Sequence, residues 1–341
     1  MAKHAQPPAP MEALLAAELP AGEGWQYEPK WDGFRALAER DGDEVKLTSR
    51  SGKPLGRYFP EVLDMLRSLK ARRFLLDGEL IIPLGDALSF EALQLRLHPA
   101  ESRIRKLSNE TPAELMAFDL LEADGRSLMA EPLSDRRDAL ERFYSKNKAA
   151  GLRLSPATSD REIALGWLQR SGGALDGVVA KRTTQEYRPG ERAMVKVKQQ
   201  RTADCVVGGF RYAERKKEVG SLLLGLYEDQ GLLHHVGFTS AIPAKERPAL
   251  TRMLEKLIKP PGFTGDAPGG PSRWSTERTA QWQPLKPRLV VEVRYDQVTG
   301  RRFRHGTGFL RWRPDKDPKN CTFDQLAPEL RPSELKELFA A

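Results

Sequence analysis

The chain has 341 residues, 30% of them charged and 40% hydrophobic, which fits an ordered protein of about two domains. No apolar run is long enough to span a membrane, the first residues lack the apolar stretch of a signal peptide, and the two cysteines, Cys205 and Cys321, are too few for a disulfide scaffold or a four-ligand zinc site. A reducing cytoplasm is the expected setting. The net charge is +8, and its distribution is uneven: residues 201–341 hold 24 Lys+Arg against 17 Asp+Glu. Nearly all the positive excess therefore lies in the last two-fifths of the chain, which points to a polyanionic partner such as nucleic acid.

In chain order, Met1–Pro10 reads as a lead-in and residues 10–18 as a short helix ended by Pro20 and Gly22. Trp25 to Lys30 reads as a strand that enters the turn Lys30-Trp-Asp-Gly-Phe-Arg35. A strand near Glu44–Arg50 would close a hairpin through Asp41-Gly42. Phe59 to Lys70 has apolar residues at helical spacing. Phe74 to Ile82 is an apolar run broken by Asp77-Gly78-Glu79, and Leu115 to Leu121 is another that carries Asp119. Ser89–Leu97, Ser134–Lys148 and Ser159–Arg170 read as helices, and Leu175–Lys181 and Met194–Lys198 as buried strands. This alternation predicts an α+β domain over residues 1–200. Beyond it, short strands at Asp204–Phe210, Ser221–Tyr227, Leu232–Phe238, Val290–Tyr295 and Gly308–Arg313, with a helix at Ala244–Leu257, predict an all-β OB-fold barrel over 201–341.

Charge buried in a strand is expensive unless it is paired or functional. Asp77 and Glu79 alternate on one face, Asp176 and Lys181 flank a valine pair, and Lys196 and Lys198 share a face opposite valines. Lysine is a poor nucleophile until its amine is deprotonated, and neighbouring cations or burial promote that. Lys30 beside Asp32-Gly33, with Arg35 beyond, suits attack on a phosphate. Lysines that hold phosphates, carboxylates that hold a divalent cation and an aromatic that stacks a base would explain these segments together.

In this order the segments resemble the covalent nucleotidyltransferases: ATP-dependent DNA ligases, RNA ligases and capping enzymes. Lys30–Arg35 looks like motif I, Leu76–Leu80 motif III, Phe118–Leu121 motif IIIa, Asp176–Lys181 motif IV, Val195–Lys198 motif V and Arg313–Lys316 motif VI. The wider stretches around them look like bacterial ATP-dependent DNA ligases of the C and D types. The resemblance implies an α+β nucleotidyltransferase domain followed by an OB-fold domain, and the sealing of nicks in duplex DNA during repair through AMP carried on Lys30. It implies that Glu28 binds the adenine, Phe118 stacks on it, and Arg35 and Glu79 contact the ribose side. Asp32 and Lys181 would join the nucleotide site, with Arg50 near a phosphate. Lys196 and Lys198 would hold the α-phosphate, and Arg313, Asp315 and Lys316 would orient pyrophosphate. Asp176 and Glu79 would hold Mg²⁺ or Mn²⁺; much of the superfamily has glutamate where Asp176 stands. A moving OB domain, hinged near Gln199–Thr202, is part of the same implication. So are a monomeric state and a possible primase-polymerase or end-binding partner. An RNA ligase or capping-type enzyme, or an idle DNA-binding protein on this scaffold, are the alternatives.

Overall fold

In the computed structural model, the described residues are 7–326 except 86, 170–174, 200, 215, 270–280, 297, 300 and 304–305. The chain divides into two compact units, one ending at Gln199 and the other spanning Gln200–Pro328. Gln200, inside the expected hinge, lies outside the described residues, as do Arg304 and His305.

The first unit opens with β1 (Glu12–Ala16), β2 (Trp25–Trp31), β3 (Phe34–Asp41), β4 (Glu44–Ser49) and α1 (Pro60–Ser68). There follow β5 (Arg73–Ile81), the short pair β6 (Pro83–Leu84) and β7 (Ala87–Leu88), α2 (Phe90–Arg96) and α3 (Glu101–Glu110). It closes with β8 (Glu114–Ala123), β9 (Arg126–Ser127), α4 (Leu133–Lys146), β10 (Leu152–Leu154), α5 (Arg161–Gln169), β11 (Leu175–Arg182) and β12 (Arg192–Val197). The strands form two sheets, in orders β1-β12-β11-β2 and β10-β8-β5-β3-β4.

Residues 10–18 are a correction to the expected helix. Their Ala, Leu, Met and Glu favour a helix, yet Glu12–Ala16 is an edge strand parallel to β12, with Leu15 opposite Lys196. Met11 is buried and Ala9 O accepts from Gly190 N, so the end of the supposed lead-in is built into the sheet. Strand β5 runs unbroken through Asp77-Gly78-Glu79, with the two acids on one face as their alternation predicts, and it is covered on both sides. Phe74, Leu76 and Leu80 pack with Val62 and Leu66 of α1, Leu93 of α2 and Leu140 and Phe143 of α4. The other face turns Leu75, Asp77 and Glu79 toward the second sheet, where Leu37, Leu75 and Leu121 meet Met11, Met194 and Tyr187. Helix α3 has no counterpart among the expected elements; its sequence is mostly polar, and Ile104 is its one fully buried apolar side chain.

The second unit contains β13 (Arg201–Ala213), β14 (Lys216–Tyr227), β15 (Leu233–Thr239), α6 (Arg247–Glu255), β16 (Gln283–Pro284), β17 (Val290–Tyr295), β18 (Val298–Thr299), β19 (Arg302–Phe303) and β20 (Gly308–Trp312). The main sheet runs β15-β14-β13-β17-β20. A parallel bridge between Thr239 and Thr307 joins its two ends, and Thr239 Oγ1 donates to Thr307 O at 2.8 Å. A five-stranded sheet closed on itself, with a helix between its third and fourth main strands, is an OB barrel. Its interior is apolar: Val206, Phe210, Leu222, Leu224, Val236, Val291 and Val293 are all fully buried.

Candidate active site

Strand alternation builds one wall of the site. Gln26, Glu28 and Lys30 fall on one face of β2. Val179 of β11 lies opposite Glu28 on one side and Lys196 of β12 on the other, so Glu28, Val179 and Lys196 form a row across three strands. Two glycines permit the close approaches that the motifs need. A Cβ on Gly33 would stand 2.1 Å from Leu80 O, and one on Gly177, whose φ is +128°, would stand 2.1 Å from Val197 O. The Asp-Gly pairs at 32–33 and 176–177 therefore let the Lys30 turn lie against β5 and β11 lie against β12.

Lys30 Nζ sits 2.6 Å from Asp176 Oδ2, and Lys198 Nζ sits 2.9 Å from Asp176 Oδ1. One carboxylate thus bridges two lysines. Burial alone would raise Asp176, but Lys30 and Lys198 outweigh it and hold the group below the usual carboxylate range. Lys196 is pushed below its ordinary value by burial and by the cations of Lys30, Lys198 and Arg50. Arg50 is itself exposed, just beyond β4.

The facing sheet supplies the second wall. Arg35 and Glu79 are cross-strand neighbours on β3 and β5. Burial pushes the Glu79 carboxyl up to about 7, with Lys30 and Arg35 opposing the rise and Asp32 and Asp77 adding to it. Phe118 of β8 is half-buried, with the Arg35 guanidinium 5.0 Å and the Lys181 ammonium 4.8 Å from its ring centre. Lys181 Nζ also binds Glu28 Oε2 at 2.8 Å, while Gln26 Nε2 donates to Glu28 Oε1 at 2.7 Å.

The structure therefore brings Glu28, Lys30, Asp32, Arg35, Arg50, Glu79, Phe118, Asp176, Lys181, Lys196 and Lys198 into the first unit. Arg313, Asp315 and Lys316 belong to the second. There Arg313 Nη1 donates to both oxygens of Asp204 at 2.9 and 3.0 Å, and Arg313 also binds Asp315, whose carboxyl is held down at about 2 by that contact. Lys316 Nζ is 3.8 Å from Asp204 Oδ2.

Not every inward acid is available for chemistry. Asp77 is fully buried; Arg35 donates to its two oxygens at 2.9 and 2.6 Å, and Tyr187 Oη donates at 2.6 Å. Asp119 is gripped by the buried Arg136 at 2.9 and 3.1 Å. Both acids are structural counter-charges, whereas the two acids that the sequence suggested for a metal are Asp176 and Glu79. Tyr187, Arg136 and Asp204 carry no signal of these roles in the sequence. They lie 110, 17 and 109 residues along the chain from the charges they serve, and no spacing rule connects them.

The family model for the ATP dependent DNA ligase domain matches residues 9–198, which contain both walls of the site. The chain belongs to the ATP-dependent DNA ligases. A second model, for the ATP dependent DNA ligase C terminal region, matches residues 215–316 of the ligase. DNA ligase C1 of Mycolicibacterium smegmatis is 47% identical over 335 residues, with 94% of each chain covered. DNA ligase C of Mycobacterium tuberculosis is 43% identical over 337 residues, with 94% of each covered. The multifunctional non-homologous end joining DNA repair protein LigD of Mycobacterium tuberculosis is 32% identical over 340 residues; that match takes in 96% of this ligase and 39% of LigD. A solved Lig E DNA ligase has the same fold, with a TM-score of 0.55 at 18% identity over 89% of this chain and 99% of that one. No described helix of the ligase is long and apolar enough to cross a membrane.

Proposed function

We propose that the ligase seals 3′-hydroxyl/5′-phosphate nicks in duplex DNA, with Lys30 as the nucleophile that carries AMP. The observation that supports this most is the Asp176 carboxylate bridging Lys30 and Lys198, across from the Phe118 ring. In this reading adenine stacks on Phe118, and Glu28, oriented by Lys181 and Gln26, faces its amino edge. Asp32, Arg35 and Glu79 meet the ribose side. The Lys30 amine gives up its proton and attacks the α-phosphorus, so an N–P bond forms as the bond to pyrophosphate breaks. Lys196 and Lys198 offset the charge that builds on the α-phosphate oxygens. Arg313, Asp315 and Lys316 orient pyrophosphate in this step alone. AMP then passes to the 5′-phosphate of the nick, near Arg50, and the 3′-hydroxyl displaces it.

A divalent cation fits the donors present. No cluster of three or more His, Cys, Asp or Glu suited to a metal exists among the described residues, whereas Asp176 is kept ionised and Glu79 titrates near neutrality. One or two carboxylates completed by phosphate oxygens and water is the donor set that Mg²⁺ and Mn²⁺ accept beside nucleotides. Such an ion, when bound, neutralises phosphate charge. The relatives named for end joining support a repair role, with an end-binding protein or a primase-polymerase as partner. A DNA substrate places the work on the chromosome, in the bacterial cytoplasm.

Incubation with α-labelled ATP and Mg²⁺ tests the central assignment. The wild type should become labelled and release pyrophosphate, and Lys30→Ala should do neither. A label that persists on Lys30→Ala would remove Lys30 from its role.

A further inference from the structure

A second concave site lies on the opposite face of the β5 sheet from the nucleotide groove. It has a volume of about 620 Å³ and an apolar floor in which Leu128 is partly exposed over the buried Leu120 and Phe143. Phe143 packs on Phe74, on the helix side of the sheet. Arg73 marks its edge, six residues along β5 from Glu79, which is about 20 Å at the rise of an extended chain. Its rim is cationic and comes from three separate segments: Lys70 and Arg73 before and at the start of β5, Arg126 of β9, and Arg142 and Lys146 of α4.

Two of the five rim cations are already paired, Arg73 with Asp41 and Arg126 with Glu131. Lys70, Arg142 and Lys146 are exposed and form no ion pair among the described residues. Asp124 is the single acid that lines the groove. Arg142 and Lys146 are four residues apart on α4, so they rise over the same stretch of floor.

We infer that this groove docks an acidic segment of a partner protein, one that sets an apolar side chain on the Leu120–Phe143 floor and carboxylates against Lys70, Arg142 and Lys146. A DNA duplex is the poorer occupant. Its rod is too wide to enter a hollow of this size, and its phosphates would leave the apolar floor uncovered. The site lies away from Lys30, so it would tether a partner while the nick occupies the nucleotide groove.

The probe is a fluorescein-labelled peptide in which Asp and Glu flank a central Leu-Phe pair, read by anisotropy with the 341-residue chain. Binding is expected near or below about 100 µM, weakening as salt rises. Arg142→Glu/Lys146→Glu should weaken it at least about tenfold while adenylylation and nick sealing stay at wild-type rates, which also shows that the variant folds. A peptide with Ser-Ser in place of Leu-Phe should lose at least about tenfold through the uncovered floor. Absence of binding, equal binding by the double variant, equal binding by the Ser-Ser peptide, or displacement of the peptide by unnicked duplex would each overturn the proposal.

Discussion

Arg136→Met isolates a buried ion pair beside Phe118, the ring proposed to stack on adenine. The Arg136 side chain is fully buried and Asp119 is 2% exposed. The guanidinium donates to both Asp119 oxygens, and also to Glu131 O at 2.7 Å and Gln185 O at 3.0 Å. Methionine matches its length but offers no charge and no donor. The substitution strands one buried carboxylate and two carbonyls, and a broken buried pair typically costs about 3–5 kcal/mol. That loss must depend on pH. Burial holds Asp119 above the usual range even with Arg136 in place, and without the arginine it rises further. A group raised in the fold keeps its stability below its unfolded value and loses it as pH rises. The gap between wild type and variant should therefore be widest near pH 8 and narrow toward pH 4. Urea unfolding, followed at both pH values, measures it, and Asp119→Leu/Arg136→Met should recover most of the loss at pH 8. A variant within about 1 kcal/mol of wild type at pH 8, or a gap that ignores pH, would refute the reasoning.

Tyr187→Phe removes the hydroxyl that shares Asp77 with Arg35, a bond to a charged group worth about 1.5–3 kcal/mol; ATP affinity in titration calorimetry should fall as Arg35 loosens over Phe118, and unchanged affinity together with unchanged melting would count against it. Glu79→Gln should be the more stable protein at pH 8 by up to about 3 kcal/mol, since a carboxyl held near 7 loses its neutral-form stability between its unfolded value and that pH, while the amide loses nothing. Its adenylylation rate should also lack the rise through neutrality expected of the wild type in stopped-time labelling. Asp176→Asn should raise the Mg²⁺ concentration needed for half-maximal labelling at least about tenfold, and an unchanged metal requirement would assign Asp176 to lysine pairing alone. Asp204→Ala frees Arg313 and Lys316 from their shared carboxylate, and should slow pyrophosphate release more than the later sealing of pre-adenylylated DNA.

The site is legible in the sequence where one strand carries the chemistry. Alternation along β2, and along β12 into the residue that follows it, is enough to put Glu28 with Lys30, and Lys196 with Lys198, on single faces. Sequence does not reveal which charges are spent on each other. Asp77 and Asp119 look like Glu79 and Asp176 in one dimension, and only the fold delivers Arg35, Tyr187 and Arg136 to them. Local propensity misleads at Glu12–Ala16, where helix-forming residues are overruled by the open edge of β12 and the burial of Met11. The barrel is readable from its strand spacing, but the Thr239–Thr307 closure is not.

That same edge strand changes how the chain should be handled at the bench. Met11 N donates to Tyr187 Oη at 2.9 Å, and Leu15 lies beside Lys196. A clone shortened to begin at residue 17, on the view that its leading residues are expendable, would expose the lysine strand as a raw sheet margin. It would also unseat Tyr187, which donates to the Asp77 carboxylate shared with Arg35. Such a protein would purify as a stickier molecule with a weaker grip on ATP, although every motif residue would still be present.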